Sequence, residues 1–148
     1  MAGTASNPGR HSVARFLEGI EDDAVRVDCL ALIEIMRMVS GCGPAMFGGS
    51  LVGFGSGLLS FDGTRTGVIP LIGFSPRKRG IALFLRSGFE SVAPDLARLG
   101  PHDTEPGCVS FPSLRDLDMR VLKTILSKAF QDAMERSAFS RTATSRAA

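Results

Sequence analysis

Residues 46–85 constrain the fold more than any other part of the chain, because this stretch is both glycine-rich and strongly apolar. Three runs inside it have the composition of β-strands, at residues 51–54, 68–74 and 81–85. Turn sequences separate them, Asp62-Gly63-Thr64 first and SPRKRG at residues 75–80 second. The stretch therefore predicts successive strands of a core sheet, and its composition alone points to no reaction.

Proline and glycine positions refine this prediction. Pro70 cannot donate a backbone hydrogen bond, so we expect it at a bulge or on a sheet edge. Residues 81–85 are apolar on both alternating faces, which predicts a central strand covered on both sides. The glycines between residues 48 and 57 match neither common phosphate-binding motif, so we expect them to permit bulges and close backbone approach.

Helical spacing of apolar residues predicts helices on either side of the strands. A short helix is expected over residues 13–19, and a longer one opens at the acidic run 21–23 and ends at Gly41. In segment 89–99, Pro94 either occupies the first turn of a helix starting near Ala93 or splits the segment in two. A short strand over 108–111 precedes a last helix from about Asp116 to Met134, capped by Asp116 or Asp118.

This order of elements predicts an α+β fold with a single, mostly antiparallel sheet and helices packed on it. The length of 148 residues is typical of one domain. We expect that domain over residues 12–136, between a disordered N-terminal lead over 1–11 and a disordered C-terminal tail over 137–148.

Charge and composition exclude several functional classes. The formal net charge is only +2, which argues against a dedicated nucleic-acid-binding protein. No apolar run approaches the length of about 18 residues that spans a membrane, so no membrane partner is expected. The three cysteines, Cys29, Cys42 and Cys108, have no zinc-site spacing and an odd number, which predicts a reducing, cytoplasmic location.

Several short sequence words occur together and in order. They are residues 45–50 (AMFGGS), 52–55 (VGFG), 70–78 (PLIGFSPRK), 96–100 (LARLG) with His102, Thr104 and Cys108, and 117–122 (LDMRVL). By these words the chain resembles the YdhG-like family, a bacterial domain of unknown function. The resemblance covers roughly residues 12–135.

The resemblance implies a frataxin-like fold, a sheet with helices on one side, and one relative is described as an intracellular iron chaperone. It therefore implies ferrous iron as a bound metal, held by exposed carboxylates along an early helix. In this chain the candidate metal ligands are Glu21, Asp22 and Asp23. The alternative is that these carboxylates cap the helix and stabilise the positive end of its dipole.

A second candidate site is a set of polar groups that we expect to converge at one end of the sheet, where basic side chains hold an anion. Its predicted residues are Ser75, Arg77, Lys78, His102 and Thr104, together with Phe47, which stands where the family more often has tryptophan. The loop around His102 carries Asp103 and Glu105 where the family is lysine-rich. The alternative is a solvated basic turn and a surface histidine.

An enzyme would need a nucleophile and a base, and Cys108 with His102 is the pair to consider. The sequence supplies no third, orienting group for this pair, so we predict no enzymatic activity. The sequence thus predicts a small cytoplasmic binding protein that handles iron, by resemblance. The alternative is a module that binds an anionic small molecule or a protein partner through residues 75–78.

Overall fold

A computed structural model of the chain describes residues 10–61, 65–78, 80–86 and 88–147. The helices are α1 (Arg10–Glu18), α2 (Asp23–Ser40), α3 (Ala93–Leu96) and α4 (Met119–Ala147), with 3-10 turns at Glu90–Val92 and Leu114–Asp116. The strands are β1 (Pro44–Phe47), β2 (Leu51–Phe61), β3 (Arg65–Arg77), β4 (Gly80–Leu85), β5 (Asp103–Glu105) and β6 (Cys108–Phe111).

The strands form one six-stranded sheet in the order β1-β2-β3-β4-β6-β5, and every neighbouring pair is antiparallel. The predicted α+β class with an antiparallel sheet is confirmed. The predicted turn over residues 75–80 is wrong at its start, because β3 continues to Arg77, which pairs with Gly80. The predicted turn at residues 62–64 lies outside the described residues.

The core lies on one face of the sheet. Side chains from that face join apolar side chains of α1, α2, α3 and α4 in a single cluster; its strand members are Val52, Phe54, Ile72, Phe74, Ile81, Leu83, Leu85, Val109 and Phe111. Alternate strand residues stand on the opposite face. This outer face comprises Ala45, Phe47, Leu51, Gly53, Gly73, Ser75, Ala82, Phe84, Cys108 and Ser110. Phe47, Leu51 and Phe84 on it are only half-buried.

Strand β4 is central, as predicted, since it lies between β3 and β6. The prediction that it is covered on both sides holds for most of the strand, because five of its six residues are buried and Ala82, on the outer face, is 4% exposed. Phe84 stands on the outer face, half-buried and outside the core cluster. Phe84 is therefore the one residue of β4 that is not fully buried.

Gly53 and Pro70 each occupy a position in the sheet that suits their backbone. A Cβ atom on Gly53 would lie 2.7 Å from the Phe47 ring and 2.4 Å from the Pro70 Cβ atom, so only glycine admits both neighbours. Pro70 lies beyond the end of β4, whose last pair is Leu85 with Ile72. The predicted edge position of Pro70 is thus confirmed at this point of the sheet, where β3 has only β2 beside it.

The long helices begin and end for local reasons. Gly41 adopts a left-handed conformation with φ of 71° and ends α2, as predicted. Asp118, one of the two predicted caps, precedes α4 and accepts hydrogen bonds from the backbone N–H groups of Arg120 and Val121. The backbone of α4 is helical to Ala147, well beyond the predicted end at Met134, because residues 119–147 contain neither glycine nor proline. The predicted mobility of residues 137–148 stays a prediction.

A buried carboxylate joins α3 to α4. Pro94 occupies the first turn of α3, the first of its two predicted placements. The next residue, Asp95, is 2% exposed and accepts hydrogen bonds from Lys128 Nζ and from Arg98 Nη2, both at 2.8 Å. These bonds, that from Lys128 first, lower the pKa of the Asp95 carboxyl, although its burial opposes the shift.

Replacing Asp95 with asparagine is expected to lower the melting temperature at neutral pH. The carboxyl group holds a proton less readily in the folded protein than in the unfolded chain, so its contribution is fully present above the unfolded pKa. That contribution is lost as the pH falls through the lower, folded pKa. Thermal unfolding of both proteins between about pH 7 and pH 3 should show two curves that converge in acid. A constant difference across this range would contradict the ion-pair explanation.

Candidate functional site

The predicted metal ligands mostly serve the start of α2. Asp22 Oδ1 accepts hydrogen bonds from the N–H groups of Ala24 at 2.9 Å and Val25 at 3.3 Å. Asp23 forms an ion pair with Arg26, whose Nη1 atom also donates to the carbonyl oxygen of Ile20 at 2.9 Å. These contacts are those of a capped helix with an acidic first turn.

Among the described residues, no metal-binding cluster accompanies them. Within residues 10–147, apart from the gaps in the description, no three His, Cys, Asp or Glu side chains are placed to hold a metal ion. Glu21 is exposed, and none of the described hydrogen bonds or ion pairs joins it to Asp22 or Asp23. The acidic run has a structural explanation and lacks the converging oxygen ligands that a ferrous site needs.

The basic side chains of the β3–β4 hairpin, unlike the acidic ones at the start of α2, have no structural partner among the described residues. Arg77 ends β3 and Lys78 follows it in the turn, and both are exposed. In the part of the chain that the structure describes, neither forms an ion pair, whereas Asp23, Glu34 and Asp95 are each paired with a cation elsewhere. Arg79 lies outside the described residues. Arg77 and Lys78 therefore place two positive charges together, and no described carboxylate forms an ion pair with either.

Strand register connects this charge to the outer face. Arg77 and Ser75 stand two positions apart on β3 and therefore share that face. Ser75 pairs with Ala82 of β4, and across β2 its row continues through Leu51 to Phe47. Phe47 lies two strands from Ser75, about 10 Å at normal strand spacing. The structure thus groups three predicted site residues, Phe47, Ser75 and Arg77, on one face.

His102 and Thr104 stand apart from that group. Two strands, β4 and β6, lie between β3 and β5, which separates the backbones of Ser75 and Thr104 by about 15 Å. Thr104 pairs with the buried Val109 and so belongs to the helix-bearing side of the sheet. His102 Nδ1 donates a hydrogen bond to the carbonyl oxygen of Gly100 at 2.7 Å. The structure does not bring these two residues together with the basic hairpin.

The cysteines have no catalytic setting in the described residues. Cys108 pairs with Glu105 of β5, whereas His102 precedes that strand by one residue, about 10 Å further along it. Cys29 is fully buried in α2, and this burial, followed by the nearby Asp28 charge, raises the pKa of its thiol to about 12. Cys29, Cys42 and Cys108 are all free thiols. The prediction that the chain is not an enzyme stays a prediction.

Asp28 forms a long-range hydrogen bond that the sequence does not predict. Although Asp28 lies next to the apolar stripe of α2 rather than on it, its Oδ2 atom accepts a hydrogen bond from the backbone N–H of Leu114 at 3.1 Å. This bond ties the middle of α2 to the 3-10 turn before α4. No local signal in the sequence reveals it, because the two residues are far apart in the chain.

Comparison of the chain with protein-family models, with curated proteins and with solved structures gives no match. Among the described helices, none combines the length and the apolar character needed to cross a membrane.

Proposed function

We propose that this chain is a non-catalytic binding protein that holds an anionic small molecule on the outer face of its sheet. The observation that carries the proposal is the pair Arg77 and Lys78, two exposed cations without an ion-pair partner in the described residues. They stand at the end of an apolar face that the core cluster does not include. Ligand sites typically combine apolar side chains with a few polar groups that fix the ligand's orientation.

The chemistry of the face indicates what the ligand carries. A carboxylate or phosphate group would accept charge-assisted hydrogen bonds from Arg77 and Lys78, with the Ser75 hydroxyl two positions away on the same strand face. An apolar body would lie along half-buried side chains of the same face, such as Leu51 and Phe84. The proposed ligand class is an amphipathic anion.

The proposal also includes the family, the fold type and the location of the protein. The sequence words at residues 45–55 and 70–78 support membership of the YdhG-like family, with its frataxin-like fold, and the free cysteines support a reducing, cytoplasmic location. Both of those segments contribute strands to the face proposed here, β1 with β2 and β3. The resemblance and the ligand proposal therefore concern the same surface.

Iron handling, which the resemblance also implies, stays a separate prediction. Anaerobic calorimetric titration with Fe²⁺ tests it, with a variant in which Glu21, Asp22 and Asp23 are neutralised. Saturable heat that disappears in this variant would establish the iron site. The helix cap formed by Asp22 and the ion pair between Asp23 and Arg26 favour the opposite result.

The double variant Arg77→Ala/Lys78→Ala tests the anion proposal. Calorimetry with octyl phosphate as the probe should show saturable binding to the original protein and a loss of about a hundredfold in affinity in the double variant, since each hydrogen bond to a charged group contributes about 1.5 kcal/mol. Inorganic phosphate should bind more weakly than octyl phosphate, because it lacks the apolar chain.

A matched control removes the same charges elsewhere. Arg120 and Lys123 are exposed on α4 and form no ion pair within the described residues, so Arg120→Ala/Lys123→Ala should leave octyl phosphate binding unchanged. Equal losses in the two double variants would indicate non-specific attraction to positive charge and would refute the hairpin site. Absence of heat with the original protein would refute the ligand class.

A further inference from the structure

The outer face of the sheet carries charges of both signs, in two separate places. Arg77 and Lys78 stand at its end in the β3–β4 hairpin, and Asp103 and Glu105 stand on β5, at its edge. All four side chains are exposed, and in the described part of the chain none of them forms an ion pair. The face is therefore divided between a positive end and a negative edge.

Strand pairing places Asp103 on the outer face, in the same row as Ser75. Residues that pair directly across neighbouring antiparallel strands lie on the same face of a sheet. Asp103 pairs with Ser110 of β6, and Ser110 pairs with Ala82 of β4. Ala82 in turn pairs with Ser75. The row that begins beside the basic hairpin therefore ends at a carboxylate.

Glu105 occupies the equivalent position in the next row. It stands two residues from Asp103 on β5 and therefore on the same face. Glu105 pairs with Cys108 of β6, and Cys108 pairs with Phe84 of β4. The half-buried Phe84, which the proposed ligand contacts, thus lies two strands from this carboxylate, about 10 Å at normal strand spacing.

The positive end and the negative edge are too far apart to neutralise each other by direct contact. Three strand spacings, about 15 Å, separate Ser75 from Asp103, whereas an ion pair requires about 4 Å. The charge pairs at the start and in the middle of α2 differ in this respect, because their partners stand three residues apart on one helix. A ligand that lies across the outer face is therefore exposed to both fields.

These two fields act on different ends of such a ligand. Its anionic group is held at Arg77 and Lys78, and its far end extends over the rest of the face. A second anionic group at the far end is repelled by Asp103 and Glu105, whereas a cationic group is attracted by them. Repulsion of the wrong ligand is a usual source of specificity.

We propose that Asp103 and Glu105 set the charge specificity of the outer face, so that among amphipathic anions it prefers those whose far end is cationic to those whose far end is anionic. The preferred ligand class is then a zwitterionic amphiphile. This inference rests on the proposed function, because it concerns the ligand that Arg77 and Lys78 hold.

The two carboxylates also have a structural explanation. Charge on an edge strand keeps other strands from pairing with that edge, and β5 is an edge strand. Carboxylates that serve only this purpose have no influence on which ligand is preferred. The affinities for two ligands that differ only at the far end therefore distinguish the two roles.

Calorimetry with two derivatives of octyl phosphate tests the inference, one ending in an ammonium group and the other in a carboxylate. Both far ends are charged, so the ratio of the two affinities reports the sign of the charge. Asp103→Asn/Glu105→Gln should lower the ammonium-to-carboxylate affinity ratio about tenfold at an ionic strength of about 10 mM. In about 0.5 M salt the ratios of the original protein and the variant should converge, because salt screens exposed charges.

Glu90→Gln/Glu135→Gln is the matched control. Both side chains are exposed and form no ion pair within the described residues. Glu90 lies in the 3-10 turn before α3, and Glu135 lies on α4, so both belong to the helix-bearing side of the sheet. This variant loses the same net charge and should keep the original affinity ratio. An equal fall of the ratio in both double variants would indicate an effect of net charge and would overturn the inference.

Failure of this inference is distinguishable from failure of the proposed function. If octyl phosphate binds to the original protein but the affinity ratio does not change in Asp103→Asn/Glu105→Gln, the specificity role is wrong and the hairpin site stands. If octyl phosphate does not bind to the original protein, both proposals are wrong. The Asp103→Asn/Glu105→Gln variant should bind octyl phosphate at least as tightly as the original protein does. Loss of that binding would show that β5 supports the structure of the face and would overturn the assigned role.

Discussion

Replacing Gly80 with alanine is expected to lower the free energy of unfolding by about 3 kcal/mol. Gly80 opens β4 with a φ of 140°, a conformation that residues with a side chain rarely adopt. A Cβ atom there would lie 2.1 Å from the carbonyl oxygen of Phe111 and 2.8 Å from the Cα atom of Pro112. Because both neighbours are backbone atoms, neither can move aside without displacing β6.

Gly107 provides the matched control for this prediction. It also has a positive φ, 78°, but a Cβ atom there would meet nothing within 4 Å. Gly107→Ala should therefore cost only the conformational strain, about 1 kcal/mol. Urea unfolding of both variants separates the two effects. Equal losses would show that backbone conformation, rather than the contact with Phe111, decides the need for glycine at position 80.

The sequence predicted elements with strong local signals and missed those that depend on a partner. Helix α2 has an acidic start, a periodic apolar stripe and Gly41 at its end, so its limits were readable. Strands β1 and β5 were missed because they are short and contain poor strand formers, such as Pro44, Asp103 and Glu105. They are strands because β2 and β6 pair with them.

In the candidate site, too, the local features were predictable from the sequence and the long-range distances were not. The basic composition of residues 77–78 was visible, and so was the possibility that Asp22 caps a helix. The distance between Ser75 and Thr104 could not be predicted, because it depends on β5 pairing with β6 at the edge of the sheet. Strand order is a non-local property, so residue types alone could not separate one converging site from two distant groups.

The one-sided core also bears on the proposed function. Ser75 and Phe84 stand on the outer face, and Phe74 and Leu83 stand beneath them on the core face. Phe84 is half-buried and lies outside the core cluster, so part of its ring is free to contact a ligand. Under the proposed function the ligand covers that part of the ring, and the two faces can be tested separately.

Phe74→Ala and Phe84→Ala are expected to have very different consequences. Phe74 is 0% exposed in the core cluster, so its truncation should lower the free energy of unfolding by about 4 kcal/mol. Phe84 lies on the neighbouring strand and is only half-buried on the outer face, so its truncation should cost less, about 2 kcal/mol. Urea unfolding measures both values.

The same pair separates binding from folding. Phe84→Ala should remain folded and yet lose the preference for octyl phosphate over inorganic phosphate, because the apolar contact is removed while Arg77 and Lys78 remain. Similar losses of stability in the two variants would mean that the outer face is covered in solution as the core face is. In that case Phe84 would serve folding, and the apolar part of the proposed ligand would have no surface to contact.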